Sequence, residues 1–205
     1  MKKLVGVSAL ALTMAFVLAF GLAGCDQFNK LTARAPSFQN TDVTGLPYAR
    51  DFALFDHTGK ARTLADFKGK VVLMFFGYTQ CPDVCPTTML EMAGVMEELG
   101  ADAEQVQVLF VTVDPERDTQ ALLAHYVPAF DALFLGLYGD AQATAKVAKE
   151  FKLFYAKVEG KTPGSYTMDH TAGSYVFDRN GKIRLFVRHG MGPEPITHDL
   201  KILLK

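Results

Sequence analysis

The chain has 205 residues, a formal net charge of -1, and 49% apolar residues. The near-neutral balance gives no electrostatic footprint for nucleic acid, and the length suits one packed α/β domain plus an export segment. With no Trp and a single long apolar block, the chain does not read as a polytopic membrane protein.

Lys2 and Lys3 form a positive n-region, followed by the uncharged run LVGVSALALTMAFVLAFGLAG. Leu22-Ala23-Gly24-Cys25 closes it and resembles the lipobox of bacterial lipoproteins. The resemblance implies cleavage before Cys25 and lipid attachment to its thiol. Asp26 behind it resembles an inner-membrane retention signal. The alternative is an uncleaved membrane helix, because the run is about the length needed to span. Either reading puts the rest of the chain outside the cytoplasm, at a membrane, where disulfides persist unless something reduces them. The expected organisation is a signal peptide over residues 1–24, a flexible tether over 25–47 and one folded domain over 48–205. Residues 26–47 are polar and aperiodic, which is what makes them read as a tether.

From Asp51 the patterning becomes regular. DFALFDHTGKARTL predicts a hairpin turning at Asp56–Gly59. KVVLMFFGY (Lys70–Tyr78) is a continuous apolar run, as in a strand covered on both faces. Met89, Met92, Val95, Met96 and Leu99 recur at helical spacing, and Gly100 stops that helix. QVLFVTVD predicts a second buried strand, and Asp118 or Thr119 caps the helix that follows, to about Val127. LFLGLYG is a short strand or turn, and AQATAKVAKEFKLF an amphipathic helix. GSYVFDRNGKIRLFVRHG is a hairpin turning at Arg179-Asn180-Gly181, and EPITHDLKILLK a closing helix. This order predicts an α/β, thioredoxin-like fold: a central mixed sheet flanked by helices, with an N-terminal hairpin extension.

Two of the three cysteines, Cys81 and Cys85, fall where the first buried strand gives way to a helix. Sites in open α/β sheets gather at the carboxyl ends of strands. Three residues separate the pair, one more than in the thioredoxin-type redox motif. A helix beginning near Val84 would bring both sulfurs to its positive end, which favours thiolate. Three readings follow from this placement. A structural disulfide would close a tiny loop and stabilise little. A dithiol redox centre needs only the pair. A metal site on two thiolates favours Cu(I) or Zn(II) and welcomes an imidazole.

His170 is the candidate third ligand. It lies in SYTMDHTAGSYVF, a polar stretch that reads as a loop entering a strand. Asp169 or a backbone carbonyl would fix its tautomer. His57 in the hairpin turn, His125 late in a helix, His189 after the last strand and His198 on the closing helix read as surface or capping residues.

Three stretches together carry a family resemblance. Tyr78-Thr79-Gln80-Cys81-Pro82-Asp83-Val84-Cys85-Pro86 is similar to the copper motif of the Sco/SenC family of cytochrome c oxidase assembly proteins. Val113-Asp114-Pro115-Glu116-Arg117-Asp118-Thr119 resembles its second signature. Asp169-His170, followed by YVFDRNGKIR, resembles its third. The likeness spans Asp51 to Leu204. It implies a thioredoxin-like domain that binds one copper, Cu(I) or Cu(II), through Cys81, Cys85 and His170. It also implies a metallochaperone role, with delivery to the dinuclear copper site on the oxidase copper subunit. Asp83, Asp114 and Asp118 would tune the site or meet a partner. Their ordinary reading is that Asp114 ends a strand and Asp118 caps a helix. The implied setting is a lipid-anchored monomer on the periplasmic face of the inner membrane, served by a periplasmic copper donor or thiol reductant. The rival is a thiol-disulfide reductase that keeps the oxidase cysteines reduced. A peroxide-reducing enzyme would need a Pro upstream of the attacking Cys, and MFFGYTQC lacks it.

Overall fold

A computed structural model describes residues 37–205. In chain order its strands and α-helices are β1 Thr41–Asp42, β2 Leu54–Asp56, β3 Ala61–Arg62, β4 Val71–Gly77, α1 Val84–Leu99, β5 Val106–Thr112, α2 Gln120–Tyr126, β6 Leu135–Tyr138, α3 Ala141–Glu150, β7 Tyr155–Glu159, β8 Tyr166–His170, β9 Gly173–Phe177, β10 Ile183–Arg188 and α4 Pro193–Leu203. Eight strands join one sheet in the order β1-β10-β9-β4-β5-β6-β2-β3; β7 and β8 form a separate two-stranded sheet.

Every residue of β4 and β5 is buried, including Gln107 and Thr112 of the otherwise apolar β5, as in a sheet covered on both faces. They pair in parallel from Val71↔Val106 to Gly77↔Thr112, and β6 continues the parallel set. β9 lies antiparallel on the other side of β4, which makes the sheet mixed. Phe75, Phe76 and Phe110 are at most 1% exposed, and burying one such ring stabilises by roughly 1.5–3 kcal/mol. This packing fixes the sheet, so the carboxyl ends of β4 and β5 stop side by side. The segments after them, 78–83 and 113–118, therefore emerge at one edge of the fold. The predicted N-terminal hairpin is β2–β3, added at the sheet's far edge through β6. α1 buries Met89, Met92, Val95, Met96 and Leu99 and packs beside α4. It stops at Gly100, which adopts φ +56° and bonds back to the carbonyls of Met96 and Glu97.

Two expectations need correction. The ordered domain begins by Phe38, not at residue 48. Asp199, 1% exposed, accepts bonds from Gln39 N (2.8 Å), Asn40 N (2.8 Å) and Asn40 Nδ2 (2.9 Å). β1 then pairs with β10, Thr41 opposite Phe186. A two-residue strand has no periodicity to read, and the carboxylate that holds it lies 159 residues away. Second, His170 is not in a loop. It ends β8, opposite Tyr155 of β7. That hairpin is half exposed and polar, so its alternation was hidden among turn-forming residues. The signal peptide, Cys25 and residues 25–36 of the expected tether lie outside the described residues. Among the described residues no helix is long and apolar enough to cross a membrane.

A chain beginning at Tyr48 loses β1 and the bonds to Asp199. Charge-assisted bonds of this kind contribute about 1.5–3 kcal/mol each. It should therefore melt clearly below a chain beginning at Ser37 in a thermal unfolding comparison; equal midpoints would show that residues 38–47 add nothing.

Candidate metal centre

The site is built where β4 ends. A Cβ on Gly77 would lie 2.9 Å from Cys85 Sγ and 3.0 Å from the rings of Phe75 and Phe110. The Cys85 sulfur occupies the space a side chain would take, so this last strand position tolerates only glycine. Cys85 is the second residue of α1 and is fully buried; Cys81 is half-buried, in the turn before the helix. The Cys85 backbone N–H points at Cys81 Sγ, 3.4 Å away. The extra residue between the cysteines thus leaves Cys81 off the helix, with its sulfur against the helix's free amides.

This geometry separates the two thiols. Burial pushes Cys81 up, but the amides of Asp83 and Cys85, the Cys85 thiol and the Tyr78 hydroxyl outweigh it and leave its pKa below the usual thiol range. Burial drives Cys85 far above that range, and its neighbour Cys81 adds to the shift. The half-exposed sulfur is the readier thiolate, and the buried one stays protonated until something takes its proton.

His170 completes the constellation from the other side. Its Nε2 lies 4.0 Å from Cys85 Sγ. Nδ1 donates to the Thr171 carbonyl at 3.0 Å, so the Nε2 lone pair is the one that faces the sulfur. The backbone carbonyl holds the ring; Asp169 is exposed on the opposite face of β8. Burial lowers the His170 pKa, which keeps the imidazole neutral and able to bind a metal. The Tyr78 ring packs edge-on against it. A cleft of ≈ 510 Å³ opens beside Cys81 and His170, lined also by Pro82, Met168 and Phe154, which is 63% exposed.

The second signature supports the site from below. Asp118, 2% exposed, does not cap α2; Thr119 does, accepting from Leu122 N. The Asp118 carboxylate instead accepts from Thr79 N (3.0 Å), Thr79 Oγ1 (2.5 Å) and Thr112 Oγ1 (2.6 Å). It ties the end of β5 to the cysteine loop. Asp114, also 2% exposed, accepts from the Arg117 guanidinium and from the Tyr166 hydroxyl (2.9 Å). Asp83 is exposed at the helix start, where its carboxylate meets only the Thr87 hydroxyl at a long 3.4 Å; its backbone amide is the part that acts on Cys81. His57 accepts from Gly136 N (3.0 Å), so it is more than turn surface. His189 meets Thr88 Oγ1 (3.0 Å), and His198 pairs with Asp199 (2.8 Å). Gly77, Thr112 and Tyr166 are not singled out by the sequence, and Thr79 and Arg117 fall inside its motifs with no role assigned to them. Only Gly77 carried a signal of its own, a glycine closing a buried strand next to the cysteines.

Two thiols and a neutral imidazole suit a borderline-soft first-row metal. Bonds of about 2.3 Å to sulfur and 2.0–2.1 Å to nitrogen, at trigonal angles, put such donors roughly 3.8 Å apart. The 4.0 Å between Cys85 and His170 fits one shared ion. Among the described residues no three donors already converge as a closed cage.

The sequence model described as SCO1/SenC matches residues 41–205. The chain belongs to the SCO1/SenC family. It is 37% identical over 153 residues to the mitochondrial SCO2 homolog of Bos taurus, covering 74% of this chain and 58% of that protein. Its fold is similar to copper-bound ScoI of Bradyrhizobium japonicum (45% identity, TM-score 0.68, 74% of this chain and 96% of that one). It is also similar to apo Sco1 of Thermus thermophilus (40% identity, TM-score 0.73, 82% and 98%). The SCO1/SenC match covers all three motifs and the thioredoxin-like sheet that positions them.

Gly77→Ala should displace the Cys85 sulfur and cost about 1–3 kcal/mol by overpacking. Urea unfolding reads the stability, and the His170 ring resonances should move with the sulfur. Unchanged stability and unchanged ring signals would refute the packing account.

Proposed function

We propose that this SCO1/SenC domain is a copper metallochaperone. It holds one copper ion through Cys81, Cys85 and His170 and delivers it to the dinuclear copper site of cytochrome c oxidase. The observation that carries this reading is the unprotonated His170 Nε2 facing Cys85 Sγ at 4.0 Å. A dithiol that only exchanges electrons has no use for it. The copper-bound relative at 45% identity supports the choice of metal. Loading Cu(I) releases a proton from each thiol that enters as thiol. The imidazole matters most for Cu(II), which prefers nitrogen more than Cu(I) does. The open cleft beside Cys81 leaves a face from which an incoming thiolate of the recipient can replace the protein's sulfurs one bond at a time.

The asymmetry of the thiols favours a second role at the same site. Cys81, the readier thiolate, would attack a disulfide on the oxidase subunit and form a mixed disulfide. Cys85 would then attack Cys81, lose its proton and release the recipient as a dithiol. Two electrons pass to the recipient, and a periplasmic thiol reductant must return them to the Cys81–Cys85 disulfide. The domain would act as a monomer at the periplasmic face of the inner membrane, anchored by lipid on Cys25.

The reduced chain should bind one copper. Cys81→Ser and Cys85→Ser should each abolish stoichiometric binding, and His170→Ala should spare most Cu(I) affinity while weakening Cu(II) strongly. Retained copper in either serine variant would sink the ligand assignment. Disulfide reduction and metal transfer, assayed separately on an oxidase copper-subunit fragment, separate the two roles. Cys25→Ser should leave an unprocessed precursor that takes no lipid label; normal labelling would remove the anchor.

A further inference from the structure

The hairpin that carries His170 is weakly joined to the rest of the fold. β7 and β8 pair only with each other, and the connection between them, 160–165, is exposed. On β8 the half-buried residues are Tyr166, Met168 and His170, with Thr167 and Asp169 exposed between them. The period of two puts the first three on one face, toward the site. At about 3.3 Å per residue, Tyr166 sits roughly 13 Å along the strand from the imidazole.

One guanidinium joins the second signature, the start of β8 and the cysteine loop. Arg117 Nε is paired with buried Asp114. Its Nη1 donates to the Tyr166 carbonyl at 2.9 Å and approaches Gln80 Oε1, next to Cys81, at 3.3 Å. The guanidinium carbon lies 3.5 Å from the centre of the Tyr166 ring, and the Tyr166 hydroxyl returns to Asp114. Nearer His170 the hairpin meets Tyr78, whose ring is edge-on to the imidazole and whose hydroxyl meets the Met168 backbone, while the Lys157–Glu116 pair at 3.2 Å is solvent-exposed and contributes little.

We infer that Arg117, backed by Asp114 and clasped to Tyr166, is the positioning residue that holds His170 over the cysteine pair. The second signature is then a latch on the β7–β8 hairpin, and its release frees the imidazole while Asp118 still holds the cysteine loop through Thr79. The inference rests on the copper reading for its metal readout but not for its hydrogen-exchange readout.

The test uses the full chain. Arg117→Met strands a buried carboxylate, so it is paired with Asp114→Asn; Tyr166→Phe removes one hydroxyl bond, and Arg117→Lys supplies a point charge without the fork. In the metal-free protein the Asp114→Asn/Arg117→Met variant should speed hydrogen exchange across residues 155–170 while β4 and β5 stay protected. With copper it should lower Cu(II) affinity by about 10–100-fold, the range for partners that orient a ligand, and leave Cu(I) affinity unchanged. Tyr166→Phe should give a smaller effect of the same kind, and Arg117→Lys a partial rescue. Wild-type exchange over 155–170 overturns the latch. Faster exchange with unchanged Cu(II) affinity, or equal loss of both ions, overturns the positioning role. If the native chain takes up no copper, the copper reading fails and the exchange result alone judges the latch.

Discussion

The contact between Cys85 Sγ and His170 Nε2 is the constraint on which the rest of the site depends. It brings together residues 85 positions apart, on a helix and on a strand outside the main sheet. Each atom is placed by a local condition. The sulfur fits because β4 ends in a residue without a Cβ. The nitrogen has a lone pair to offer because the ring's proton sits on Nδ1, which donates it in a hydrogen bond to the Thr171 carbonyl. Burial keeps that ring neutral and the Cys85 thiol protonated. The pair is therefore poised to bind a cation but carries no charge until one arrives.

Two buried carboxylates hold the pieces that make this contact. Taking an ionised group out of water costs several kcal/mol unless donors surround it. Asp118 is surrounded by two threonine hydroxyls and an amide, and Asp114 by a guanidinium and a phenol. Burial still raises the Asp118 pKa, so its hydrogen bonds offset the desolvation only in part. Their hydrogen bonds tie them to the cysteine loop and the hairpin, beyond a strand end or a helix cap. Both follow the carboxyl end of β5, beside the end of β4, where the cysteine loop and the hairpin arrive. A parallel pair of strands with matched lengths makes this meeting place, and the phenylalanine core beneath it keeps it from shifting.

The same geometry accounts for both proposed activities. A half-exposed sulfur with a lowered pKa beside a fully buried one is a nucleophile with a resolving partner. Add an unprotonated imidazole, and it is a set of ligands for a soft ion. The cleft leaves Cys81 open to a partner, and the exposed Phe154 on its rim is a large apolar ring next to the chemistry. On the proposed reading, copper loading and disulfide exchange would compete for the same two sulfurs, so oxidation of the pair would also close the metal site.

Much of this was legible in the sequence. The uninterrupted apolar runs could only be covered strands, the methionine-rich helix announced its period, and the three motifs named the cysteines and His170 as a set. These signals are local, or depend on residue types whose chemistry is narrow. What the chain could not announce were relations between distant, ordinary residues. Asp199 captures Asn40 across 159 positions and turns a presumed tether into part of the domain. Asp118 turns from a helix cap into a brace, because Thr119 takes the capping role and Thr79 is brought within 2.5 Å. Arg117 and Tyr166 have no meaning alone; they matter because a half-exposed hairpin folds over the loop that carries Gln80. The sequence by itself determined the covered strands, the α-helices and the donor atoms, since periodicity and side-chain chemistry are written residue by residue. The tertiary structure alone decided which donors meet, which proton sits on which nitrogen, and what keeps the hairpin down, because those depend on distances that only packing sets.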